Sequence, residues 1–263
     1  MTPQLGGTGI SVAALADGAY ADAVYSDAAV AALYDVLNPW DASSDFYLEL
    51  VLAAAAVLDV GCGTGQILHR ARAAGHQGRL CGVDPDLAML GVAVDRDPES
   101  IEWQAGAAAS MTWDSQFDLA IMTGHAFQCL VSDADVSDSL AAIRRALRPR
   151  GRFAFDTRNP AAAAWQSWHP ANAVETVDPA GLPVRISHQV ESVGDGVVAL
   201  TETTADRDGT ALRVDRASLR FLTEAELARF LAEAGFVVQA QYGDWNTTPL
   251  TSSSPEIITI AAT

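Results

Sequence analysis

Apolar residues in this chain follow two periods in alternation. Short apolar runs within Val57–Val60, Arg79–Asp84, Ile101–Gly106, Phe117–Met122 and Arg152–Pro160 read as strands. Between and before them the spacing is helical: Ala19 to Asn38, Asp45–Ala55, Gln66–Gly75, Asp86 to about Val94, and Asp135–Leu147. Strands alternating with helices predict βα units on a parallel sheet. After residue 172 the pattern changes. AVETVD, VRISHQVESV, VVALTETTAD and ALRVDRASLRFL read as four strands separated by PAGLP, GDG and RDG turns. Thr223 and Glu226 then form a capping box for a helix closed by Gly235. FVVQAQYGDW and EIITIAAT are two final strands. The first residues, up to Gly18, are expected to be poorly ordered, and the Gly6–Gly9 run is followed by no strand.

Val57 to Gln66, VLDVGCGTGQ, organises the rest. A strand ends in Asp59, three glycines follow at alternate positions (Gly61, Gly63, Gly65), and a helix begins. Glycines let backbone approach a ligand closely, and the helix points free N–H groups at the same spot. This is a nucleotide-sized site built mainly from backbone. The dinucleotide fingerprint G-x-G-x-x-G would need its third glycine at Gln66, so the spacing disfavours it. A Walker phosphate loop is excluded, because no Gly-Lys-Ser/Thr follows and the chain has no lysine. Asp84 ends the next strand roughly 20 residues further on, the usual place for a carboxylate that accepts from ribose hydroxyls. Pro85 suits the first turn of the following helix.

The pattern D-x-G-x-G-x-G resembles the first motif of the class I S-adenosylmethionine-dependent methyltransferases. DPDLAML resembles their second motif, while FDLAIMTGHAFQCL and LRPRGRFAFDTRNP resemble their fourth and fifth strand regions. The resemblance covers roughly residues 30 to 160 and returns at the carboxyl terminus. It implies an α/β fold with a seven-stranded Rossmann-like sheet in the order 3-2-1-4-5-7-6, here with an antiparallel meander inserted after strand five. It divides the chain into a tail and cofactor-covering helix (1–45), a core (46–172), a β-rich insertion (173–222) and the completion of the sheet (223–263). The implied cofactor is S-adenosyl-L-methionine, leaving as S-adenosyl-L-homocysteine. The implied cofactor contacts are Tyr34 from the covering helix, Asp59, Gly61, Cys62, Gly63 and Gly65 from the turn, and Asp84, Pro85 and Met89 from the second motif. Ala107, Ala108 and Thr123 complete the set. One departure stands out: members often read Gly-Asp-Ala where this chain has Gly106, Ala107 and Ala108, so the carboxylate that accepts from the adenine amino group is missing. Backbone groups or a water would take its place.

Thr123, Gly124 and His125 fall at the carboxyl edge of the fourth strand, where open α/β sheets bind ligands. His125 is the best-placed general base, the alternative being a loop histidine that lines the pocket. Thr123 is not the carboxylate that metal-dependent members place there. The segment also lacks the Asp/Asn-Pro-Pro-aromatic sequence of DNA N6-adenine and N4-cytosine methyltransferases. The five histidines and three cysteines show no metal-ligand spacing, so no metal site is expected.

Composition narrows the partners. A net charge of −17 argues against gripping a polyanion, and six arginines from Arg144 to Arg158 form the one basic cluster. No basic leader precedes an apolar run and no apolar run reaches about 18 residues, so a cytoplasmic protein that binds neither membrane nor nucleic acid is expected. Cys62, Cys81 and Cys129 fit buried thiols of a reducing compartment. The expected activity is methyl transfer to nitrogen or oxygen of a small-molecule acceptor. Trp165, Trp168, His169 and the meander would choose that acceptor, and the meander would cover the pocket, form a homodimer contact, or both. Two alternatives remain at this stage: a non-catalytic cofactor-binding protein of the same fold, and an NAD-dependent oxidoreductase.

Overall fold

A computed structural model describes residues 27–263 of the chain. The tail expected up to residue 18, and the part of the expected first helix before residue 27, lie outside the described residues. Helices α1 (Asp27–Leu37) and α2 (Ala42–Leu52) precede strand β1 (Ala56–Val60). Then come α3 (Gln66–Ala73), β2 (Arg79–Asp84), α4 (Leu87–Arg96), β3 (Glu102–Ala105), β4 (Phe117–Met122), α5 (Asp133–Ala146) and β5 (Leu147–Arg158). Four strands follow, β6 (Val174–Val177), β7 (Pro183–Gly194), β8 (Val197–Ala205) and β9 (Ala211–Arg220). Helix α6 (Glu224–Glu233) and strands β10 (Val237–Tyr242) and β11 (Glu256–Ala262) close the chain.

Seven strands form one sheet in the order β3-β2-β1-β4-β5-β11-β10, which is the expected 3-2-1-4-5-7-6 with the last hairpin as its final two members. The five strands β1 to β5 are parallel, and β11 enters antiparallel between β5 and β10. Period-two side chains divide the core between the two faces. Leu58, Ala120, Met122, Phe153 and Phe155 pack with Leu140 and Ile143 of α5 and Leu227 and Phe230 of α6. Val57, Leu119, Ile121 and Ala154 pack on the other face with Tyr47 and Val51 of α2 and Leu68 of α3. Both faces are therefore covered, as the continuous apolar runs require.

The meander is a separate sheet in the order β6-β7-β8-β9. Val184 and Ile186 pack on Leu33 of α1, and Val198, Leu200 and Leu219 pack on Trp168 and Phe221. It is tied to the loop after β4 by Gln128, whose Nε2 donates to the Arg220 carbonyl at 3.0 Å. The expected capping box at Thr223–Glu226 is present, and unforeseen ones start α2 at Asp41 with Ser44 and α5 at Ser132 with Asp135.

One boundary differs from the sequence reading. Leu147 to Gly151 was expected to close a helix and turn, but β5 already begins at Leu147. Phe117 pairs with Leu147 and Leu119 with Arg152, so a bulge absorbs the extra residues, with Arg150 at φ 67°. Helix α5 ends at Ala146, and the segment with Pro149 and Gly151 forms the bulged start of the strand.

Phe155 stacks on Phe127 at 4.4 Å and on Phe153 at 4.7 Å between ring centroids, and is fully buried. Phe155→Ala should destabilise the protein by about 3–5 kcal/mol, read as a lower urea midpoint at an unchanged m-value. A shift equivalent to less than about 1 kcal/mol would show that β5 is not the centre of the core.

Candidate active site

The glycine turn is held open by a carboxylate. Asp84, at the end of β2, accepts from the Gly63 N–H and the Asp86 N–H, each at 2.8 Å. Charge-assisted bonds of this kind contribute about 1.5–3 kcal/mol each. They fix the turn to the neighbouring strand while leaving the carboxylate lone pairs to accept more. Gly63 has φ +54°, and a Cβ built there meets nothing within 4 Å, so a side chain would project into open cleft. Gly65 behaves differently. At φ +73° its Cβ would lie 2.4 Å from the Trp103 ring, and it lines neither cavity of the site. Glycine at this position also has a packing reason: it lets Trp103 of β3 cover the turn.

Two cavities meet over this turn. One, of about 150 Å³, is lined by Gly61, Gly63, Asp84, Pro85, Met89, Ala107, Ala108 and Thr123, with Ala126 and Leu130 adding apolar wall. The other, of about 170 Å³, is lined by Asp59, Cys62, Thr64, Ser44, Asp41 and His125. Tyr34, Gly61, Thr123 and Gly124 line both and mark the junction. The first cavity is largely apolar with two acidic residues in its lining, Asp84 and Asp86, and suits a flat ring and a ribose diol. The second is polar and acidic, and suits a charged amino-acid group.

Helix α1 covers the junction because it is clamped to the turn. The Thr64 hydroxyl donates to Asp35 at 2.6 Å, Arg96 pairs with the same carboxylate, and Gln66 Nε2 donates to the Asn38 carbonyl at 3.3 Å. Tyr34 is thereby brought against Gly124, and burial, with Asp35 and Asp84 nearby, holds its hydroxyl firmly protonated.

Asp59 is the informative residue of the acidic cavity. It is 1% exposed, and its Oδ1 has no hydrogen-bond partner. Burial, helped by the Asp84 carboxylate, pushes its carboxyl up to about 8. A buried, unpaired carboxylate awaits a cation or donor from a ligand. The cofactor expected from sequence carries an ammonium, a ribose diol and an adenine, and the orphaned Asp59 oxygen, Asp84 and the apolar cavity fit these three groups. No carboxylate faces the cavity at Ala107, as the sequence showed; Ala107 and Ala108 offer backbone there.

His125 lies in the left-handed region (φ 63°) after β4, and its N–H donates to Asp156 Oδ2 at 2.9 Å. Its Nε2 is 3.0 Å from Glu256 Oε2 and 3.5 Å from Asp156 Oδ2. Burial, with Arg158 as a second cause, lowers the imidazole to about 3, so it is neutral. Tyr47 donates to Asp156 Oδ1 at 2.5 Å. The side chains of His125, Asp156 and Glu256 offer donor atoms within 4.8 Å of one another. Sequence spacing gave no sign of this cluster, since its members lie on three strand ends. Asp156 and Glu256 were missed. The only available signal was that the start of the last strand, antiparallel to β5, must return to the binding edge.

Residues 57–151 match a family model described as a methyltransferase domain. The chain is 33% identical over 156 residues to a 2-phytyl-1,4-naphtoquinone methyltransferase of Thermosynechococcus vestitus, covering 53% of this chain and 68% of that protein. It is 27% identical to a cypemycin N-terminal methyltransferase of a Streptomyces species, covering 80% and 83%. Among solved structures it resembles an S-adenosylmethionine-bound amino pentose methyltransferase from Micromonospora echinaspora (TM-score 0.64, 21% identity, 86% and 92% covered). It also resembles a sugar N-methyltransferase from a Streptoalloteichus species (TM-score 0.67, 18% identity, 93% and 96% covered). At those identities the two structures speak to the fold.

If Asp59 receives the ligand's ammonium, it must be ionised when the ligand is bound. Its value in the folded protein exceeds that of the unfolded chain, so folding takes up a proton between about pH 4 and 8. Its contribution to ligand-free stability therefore falls as pH rises through that window. S-Adenosylhomocysteine should correspondingly bind tighter by up to about tenfold per pH unit from pH 6 to 8. Asp59→Asn should flatten that slope in calorimetry, and equal slopes in both proteins would remove Asp59 from the ammonium.

Proposed function

The chain belongs to the class I S-adenosylmethionine-dependent methyltransferases, and from that premise we propose that it methylates nitrogen or oxygen of a small-molecule acceptor. The observation that carries this reading is the junction of two small cavities beneath α1, at Tyr34, Thr123 and Gly124. Closure by a helix leaves room for a small acceptor rather than a duplex, and the net charge of −17 opposes nucleic acid. The names of similar proteins, a cypemycin N-terminal methyltransferase, an amino pentose methyltransferase and a sugar N-methyltransferase, support the same reading.

When bound, S-adenosylmethionine supplies an electrophilic methyl on a sulfonium, a good leaving group in an in-line displacement. The protein's task is chiefly alignment. Asp59 would hold the ammonium and Asp84 the ribose. Gly61 and Gly63 would bring backbone against the chain between them, and Met89, Ala108 and Leu130 would enclose the ring. Tyr34 and Thr123 would border the reacting centre, with His125 on the acceptor side. The meander rests on α1 and on the loop after β4, which supports a role for it in shaping the acceptor's entrance. Among the described residues no helix is long and apolar enough to cross a membrane.

Incubation with methyl-labelled S-adenosylmethionine and a panel of amines, amino sugars and phenols tests this reading. We expect label in an N- or O-methyl product with equimolar S-adenosylhomocysteine. Transfer only to carbon acceptors or to nucleic acid would contradict it.

A further inference from the structure

The apolar cavity over the glycine turn runs on into a third and larger one, because Ala107, Ala108, Cys129 and Leu130 line both. The larger one, of about 1030 Å³, is a groove between the meander and the start of α5. Ala109, Val131 and Ser139 line it from the core, and Ala199, Leu200 and Ala217 line it from β8 and β9. Small apolar side chains thus dominate its wall. Its two carboxylates already have partners. Glu191 accepts from the Thr201 hydroxyl at 2.9 Å, and Asp135 accepts from the Ser132 hydroxyl at 2.7 Å and the Ser132 N–H at 2.8 Å.

The two cavities meet at the wall where an adenine amino group would find its acceptor. Ala107 stands there in place of a carboxylate, and its backbone does not make up the loss. Both lone pairs of the Ala107 carbonyl are engaged, by the Ser110 N–H at 2.9 Å and the Ser110 hydroxyl at 2.7 Å. The next carbonyl, that of Ala108, already takes the Met111 N–H at 3.2 Å. Ala107 and Ala109 are both exposed, so no side chain closes over this stretch. An amino group at this wall borders an opening instead of a built acceptor.

We propose that the site takes S-adenosyl cofactors enlarged by an apolar substituent on the adenine amino nitrogen, with the substituent lying in the groove between the meander and α5. This rests on the methyltransferase reading above and names the class of cofactor that the same site accepts. An amino nitrogen that gives no hydrogen bond to the protein loses none when one of its hydrogens is replaced. Burial of the substituent against Leu130, Val131 and Leu200 offsets the entropy of holding it still. The groove is several times larger than the cavity that holds the ring, so the substituent needs no repacking of the core.

Calorimetric titration with S-adenosylhomocysteine and with its N6-benzyl derivative tests this. The wild type should bind the benzyl derivative no more than about fivefold weaker than the parent, since no hydrogen bond is lost. Ser218→Trp and Ala109→Trp fill the groove from opposite sides, and neither residue lines the cofactor cavity. Each variant should keep the parent's dissociation constant and bind the benzyl derivative about tenfold or more weaker, because the added ring takes the substituent's space. Should one variant fail to fold, the other gives the same reading. A benzyl derivative that binds the wild type more than about fivefold weaker than the parent overturns the proposal. So does one whose binding neither tryptophan changes. Failure of the wild type to bind S-adenosylhomocysteine itself is a different result, which would overturn the methyltransferase reading and this proposal with it.

Discussion

Two hydrogen bonds of one carboxylate set the geometry on which the site depends. Asp84 ties Gly63 of the first turn to Asp86 of the second, joining the ends of β1 and β2 at their shared edge. Backbone bonds from Gly61 and Cys62 N–H to the Val83 carbonyl hold the start of the same turn on β2, and Asp84 extends that hold to Gly63. With it, α3 starts where its free N–H groups face the cavity, and α4 starts from an Asp86 cap whose Oδ1 accepts from Ala88 and Met89 N–H. Met89 is thereby turned toward the apolar cavity. The polar clamp of α1 on Thr64, Gln66 and Arg96 and the apolar packing of the cofactor half are built around this edge.

The legibility of the chain follows from the same fact. Strand–turn–helix units are local, so β1, β2, β4 and their turns could be read from runs of apolar residues and glycine positions. The meander was equally readable, because alternation and Gly-Asp turns are local signals. The packing constraint on Gly65 is not legible locally, because it comes from Trp103, nearly forty residues away on β3. The Tyr47–Asp156–His125–Glu256 chain was invisible for a stronger reason. It joins α2, β5, the loop after β4 and β11, and only the sheet order brings them together. Asp156 follows the apolar run Phe153–Phe155 in sequence, and nothing local marks it as part of the cluster.

Buried acids are the recurrent expense of this fold. Asp59, Asp84, Asp156 and Glu256 are all raised above the usual carboxylate range, with burial the largest cause in each. A chain without lysine has few ways to neutralise them internally. Those with protein partners, Asp84 and Asp156, organise backbone. The one with an orphaned oxygen, Asp59, faces a cavity, and Glu256 stands behind a histidine that does. Ligand cations are the natural complement, which makes the cofactor part of the protein's electrostatic balance.

The central claim is that the cleft over the glycine turn is an S-adenosylmethionine site built from backbone. Calorimetric titration of the wild type and Gly63→Val with S-adenosylhomocysteine, and with NADH as the rival nucleotide, tests it most directly. The account predicts that S-adenosylhomocysteine binds the wild type at one site, that NADH does not, and that the folded variant binds neither. Equal binding of S-adenosylhomocysteine by both proteins, or binding of NADH in its place, would contradict it.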